Sequence, residues 1–106
     1  MSATNPIPDE LVSRGFQAHK CNIYIAWEAR KVYRDDTKND GTALWIEVRA
    51  DKYPGRRSIF SVDISSAEWE ATASIANGTS LAELLPVIDA LISAMDIAIE
   101  LPVLAE

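Results

Sequence analysis

No lysine or arginine follows Arg57. Beyond it the charged residues are all acids: Asp63, Glu68, Glu70, Glu83, Asp89, Asp96, Glu100 and Glu106. The first 57 residues hold all ten cations against eight acids, so they net +2, and the remainder nets −8. A split of this kind points to two surfaces with two jobs. Cysteine is nearly absent. Cys21 stands alone, which excludes an intrachain disulfide, and the expected location is cytoplasmic, a reducing compartment. Histidine is as scarce. His19 and Cys21 together offer two ligands, whereas a zinc site usually needs about four. With one histidine no Ser–His–acid set is legible. Asp35, Asp36 and Asp40 lack the spacing and the distal Glu of a calcium loop. The glycines, only four, form no phosphate-cradling loop. No metal, no cofactor and no enzymatic activity are therefore expected. No apolar run approaches the ~20 residues that span a bilayer, and the first residues show no signal-peptide pattern, so no membrane association is expected.

What is present is an ordinary globular composition, 48% hydrophobic and 25% charged over 106 residues, which is enough for one domain with a real core. Gly15, Gly41, Gly55 and Gly78 punctuate it. Residues 1–15 read as a flexible lead-in, in which Pro8-Asp9-Glu10 can open one helical turn that Gly15 ends. The stretch from Phe16 or Cys21 to Arg34 alternates as a strand, Asp35–Gly41 reads as a hairpin loop, and Thr42 to Asp51 alternates again. Tyr53-Pro54-Gly55-Arg56 has the Pro-Gly centre of a type II turn, and the next strand points Phe60, Val62 and Ile64 inward. Charge fixes the register. If Arg30 faces Glu47, then Glu28 faces Arg49 and Val32 faces Trp45, whereas a two-residue slip sets Glu28 against Glu47. The outer face then carries Tyr24, Arg30, Trp45, Arg49 and Ile59 among Glu28 and Glu47, while Trp27 belongs to the core.

Two capping boxes follow, Ser65-Ser66-Ala67-Glu68 and Ser80-Leu81-Ala82-Glu83, and predict two helices. Asn77-Gly78-Thr79, which also matches a glycosylation sequon, reads as the turn between them. Pro86 should kink or restart the second. The expected class is thus α+β: a three- to four-stranded antiparallel sheet followed by two C-terminal helices packed on one face. A single domain covers 1–106, with the sheet over 16–64 and the helical tail over 65–101. On a helical wheel Asp89, Ser93, Asp96 and Glu100 share one narrow arc and nearly all the rest is apolar, wider than the ~100° one sheet usually covers. That surplus predicts a homodimer through the helix, with Val87, Leu91, Ala94, Met95, Ile97 and Leu101 at the seam. The rival reading has the N-terminal arm fold over it.

The cationic half interleaves Lys20, Arg30, Lys31, Arg34, Arg49, Lys52, Arg56 and Arg57 with Tyr24, Trp27, Tyr33, Trp45 and Tyr53. Basic grooves lined by aromatic faces are how single strands are bound. A plain sheet favours the same aromatics. Ile46-Glu47-Val48-Arg49, then Tyr53-Pro54-Gly55-Arg56-Arg57, a strand, and Ala67-Glu68-Trp69 opening a helix resemble the positive-cofactor-four family of single-stranded-DNA-binding transcriptional coactivators. Phe16–Lys20 is similar to that family's first strand. The resemblance covers about half of the chain, and Ser58 stands where the family has glycine. It implies a dimer through the helices with a basic β-surface. It also implies phosphate contact by Arg49, Arg56 and Arg57, backbone contact by Lys20, and packing or stacking by Trp69. The expected nucleic-acid site comprises Lys20, Arg30, Trp45, Arg49, Lys52, Tyr53, Arg56, Arg57 and Trp69. The alternative is a small inhibitor or adaptor of the mobile-element kind (an anti-CRISPR or other anti-defence protein), which acts by contact with a host protein.

Overall fold

The computed structural model describes residues 3–21, 25–34, 43–52, 59–66 and 71–100. Its elements are β1 (Ala3–Thr4), α1 (Asp9–Val12), β2 (Gln17–Cys21), β3 (Ile25–Arg34), β4 (Leu44–Asp51), β5 (Ile59–Ser66), β6 (Ala71–Gly78) and α2 (Leu81–Ala98). β2 to β6 form an antiparallel sheet in chain order, and the two-residue β1 adds to the outer side of β2. With α2 after the sheet, the class is α+β.

The β3–β4 register is the one that charge dictates: Arg30 opposite Glu47, Glu28 opposite Arg49 and Val32 opposite Trp45. One face of the meander is apolar. It carries Ala29, Ile46, Val48 and Val62, all buried, and is sealed by Leu11 and Phe16 from the N-terminal arm and by Leu84, Ile88 and Met95 from α2. Trp27 packs there against Phe60, with ring centroids 6.0 Å apart. The face opposite alternates with it residue by residue and is polar.

The arm is built as its residues suggest. Pro8 precedes α1, Asp9 and Glu10 sit in its first turn, and Gly15 takes φ +89°, a left-handed conformation that glycine adopts without strain. The arm is not a loose lead-in, because Leu11 is fully buried and Asn5 Nδ2 donates to the Ala26 carbonyl at 2.8 Å.

Three expectations need correction. The helix expected from Ser65-Ser66-Ala67-Glu68 does not form over the described residues. Ser65 and Ser66 end β5, and Ala71–Gly78 is β6, paired from Ser66↔Ala71 to Phe60↔Gly78. A capping box is a local signal, and here the ladder satisfies the backbone of both serines before the box can act. Ala71-Thr72-Ala73-Ser74-Ile75-Ala76 also offers an isolated helix little support, since one-sided apolar spacing is missing. The tail is therefore strand then helix, and the sheet extends well beyond 16–64. Second, the single long strand up to Arg34 is two, β2 and β3, with Ala18 opposite Ala29 and His19 opposite Glu28. No Gly or Pro lies between Phe16 and Tyr33 to announce that reversal. Third, of the kink or restart expected at Pro86, the restart does not occur, and α2 runs through it as one helix. The proline and Ala82, the residue four before it, are both exposed, so water can reach the carbonyl that loses its partner.

The second capping box forms as expected. Ser80 Oγ accepts from the Glu83 N–H at 3.4 Å, while the Glu83 carboxylate turns back to accept from the Thr79 N–H at 3.4 Å and the Thr79 hydroxyl at 3.3 Å. Gly78, Thr79 and Ser80 thus suffice to turn the chain from β6 straight into α2. Among the described residues no helix is long and apolar enough to cross a membrane.

Candidate functional site

The polar face of the sheet gathers the chemically interesting residues in rows across the strands. One row runs His19, Glu28, Arg49, Ser61 and Asn77. The next runs Gln17, Arg30, Glu47, Asp63 and Ser74. Beyond it Val32, Trp45 and Ser65 are aligned. Of the expected nucleic-acid residues, this face brings together Arg30, Trp45 and Arg49. Lys20 is exposed on β2, alternates with His19 and so belongs to the opposite side, and Lys52 is exposed just past the end of β4. Tyr53, Arg56, Arg57 and Trp69 lie outside the described residues, as does Tyr24.

Arg30 is the hub. Its guanidinium carbon sits 4.7 Å from the Trp45 ring centroid, a cation–π contact. Its Nε donates to Glu28 Oε2 at 3.2 Å and lies 3.4 Å from Glu47 Oε1. His19 Nδ1 approaches the same Glu28 oxygen at 3.0 Å. Arg49 Nε lies 3.0 Å from Asp51 Oδ1, an ion pair whose N–H is not aligned with the contact and is left without a hydrogen bond. Glu28, Glu47 and Asp63 are 7%, 8% and 5% exposed, low values for carboxylates on the side away from the core. Burial pushes the Glu47 carboxyl above its ordinary range, and neighbouring Glu28 adds to the effect. Arg30 and Arg49 oppose it without prevailing. Ser61 Oγ is also buried without a hydrogen-bond partner, and the Trp45 indole lies near enough to Glu47 to favour its charged form, which likewise does not outweigh burial.

Asp63, Ser61 and Ser65 complete this face and were not among the expected site residues, although the alternation of Ile59, Ser61, Asp63 and Ser65 with Phe60, Val62 and Ile64 carries the signal. Among the described residues no group of His, Cys, Asp and Glu is placed to hold a metal ion.

The expected dimer residues divide. Met95 is buried in the protomer's own core, Leu91 packs against that core, and Val87 is half-buried. Ala94 and Ile97 are exposed, and Leu101 lies outside the described residues. The N-terminal arm does cover part of α2, with Arg14 gripping Asp89 at 2.6 Å and 3.1 Å.

No family model, no curated protein and no solved structure matches this chain. Where the resemblance to the coactivator family calls for a helix after Trp69, the chain forms β6.

Proposed function

We propose that the protein is a non-catalytic binding module that engages another protein through the polar face of its sheet, as a small adaptor or inhibitor does. One observation carries the reading. The two arginines of that face, Arg30 and Arg49, are held by the chain's own carboxylates, and among the described residues four acids (Glu28, Glu47, Asp51 and Asp63) share the face with them. A phosphate strand laid there meets net negative charge, and each phosphate has to displace an acid from its arginine. A mixed-charge protein surface meets complementary partners instead. Trp45 stacked under Arg30, with exposed Val32 beside it, is the aromatic–arginine centre around which protein contacts concentrate their energy.

The test is capture of partners by immobilised wild-type protein, by Val32→Lys and by Trp45→Ala. A protein retained by wild type and lost from both variants is expected. An identical captured set on all three baits overturns the reading. A labelled single-stranded oligonucleotide titrated at low salt supplies the other arm. Micromolar binding that weakens steeply with salt and falls in Arg49→Ala would return the site to nucleic acid.

A further inference from the structure

Among the described residues no strand pairs with the outer edge of the sheet at β6. Natural sheets blunt an exposed edge with charge, proline, bulges or a covering element. From Ala71 to Ala82 there is neither a charged residue nor a proline, and the one such device on β6 is a single-residue bulge at Ile75. Ala73, Ser74 and Ile75 are exposed in its middle.

The helix above this edge continues the same surface. α2 packs against β5 and β6, at the β6 end of the sheet. Its two flanks differ. Asp89 is bonded to Arg14 of the arm, whose next residue, Gly15, lies against Lys31 of β3, so the acidic flank is the one turned toward the arm and β3. At about 100° per residue, Ala90, Ala94 and Ile97 lie roughly 80–140° round the helix from Asp89, on the side turned away from the arm. All three are exposed, Ile97 at 65%. The one charge on that flank is Glu83, which is committed to the helix cap.

We infer that the β6 edge and this α2 flank together are a dimer interface whose occupant is a second copy of the chain, paired antiparallel strand to strand about a two-fold axis. The symmetry selects the occupant. A two-fold axis perpendicular to the sheet sets β6 against β6 and also brings both α2 helices onto the same face of the joined sheet, flank to flank. A lone extended peptide satisfies the edge and leaves Ala90, Ala94 and Ile97 uncovered. Like residues meet near such an axis, so a charged strand repels itself, whereas the uncharged β6 does not. The polar face that carries Trp45 is not part of this interface.

Sedimentation equilibrium across the micromolar range is the measurement. The expected result is a species of twice the 11.7 kDa chain mass. Ser74→Lys on the strand and Ile97→Glu on the helix should each weaken the dimer tenfold or more, with far-ultraviolet circular dichroism unchanged. Trp45→Ala and Val12→Lys should leave it intact. A wild-type chain that stays monomeric at high micromolar concentration overturns the inference. So does a dimer whose dissociation constant is the same in wild type, Ser74→Lys and Ile97→Glu.

Discussion

Glu47 and Asp89 are carboxylates with opposite settings, and each gives a pH-dependent test. Glu47 has its pKa raised, first by burial and then by Glu28. A raised carboxylate contributes stability that is complete below its unfolded pKa, about 4.3, and is lost as pH rises through the folded value. At neutral pH the ionised group therefore works against the fold. Glu47→Gln should be more stable than wild type near pH 7 by urea denaturation, and the difference should close as pH falls to about 4. A variant less stable at pH 7 would show that the Arg30 pairing outweighs desolvation. Asp89 has its pKa lowered by the hydrogen bonds from Arg14. Its contribution is present above the ordinary carboxylate pKa of about 3.9 and disappears as pH falls through the depressed value. Asp89→Asn should lose a small amount of stability at pH 7, and almost none at pH 2 or in about 1 M salt, where screening reaches about 3 Å. The pair is exposed enough that a large loss is not expected.

At the scale of the element, β6 and α2 show which local signals survive tertiary packing. The Ser80 box survives because Thr79 and Ser80 lie past the end of the β6 ladder, where the chain must turn. The Ser65 box loses because β4 already offers β5 a full ladder from Leu44↔Ser66 to Asp51↔Ile59. Pro86 is tolerated rather than used. Pro86→Ala should restore a helical hydrogen bond at an exposed position and raise stability, by up to about 3 kcal/mol, read as a shift in the chemical midpoint at unchanged m-value. A loss of stability there would mean that the ring's packing matters more than the missing donor. The β3–β4 register was legible because its pairs carry opposite charges. The β2–β3 reversal was not, because no Gly or Pro between Phe16 and Tyr33 marks it.

For the whole molecule the core is shared, not divided. Leu11 and Phe16 from the arm, Val48 and Val62 from the sheet, and Ile88 and Met95 from α2 close on one another, so no segment has a core of its own. The full chain should unfold in one transition at fixed concentration, with calorimetric and van't Hoff enthalpies in agreement. A chain ending at Gly78 exposes Ile46, Val48 and Val62 together and should lack cooperative unfolding. Two separable transitions in the full chain would contradict the shared core.

The amino-acid sequence alone determined what is local and alternating: the charge break at Arg57, the inward Phe60–Val62–Ile64 set, the Arg30–Glu47 register, the arm's helical turn and the Ser80 cap. Each depends on residues that meet across one strand pair or within one helical turn. The tertiary structure decided what depends on competition between distant partners. It made residues 71–78 a strand, since β5 offered hydrogen bonds that an isolated helix of that sequence could not match. It also set Arg30 between Glu28 and Glu47. There its charge is already answered, because the attraction of an arginine for a ligand is what remains after its own carboxylates are satisfied.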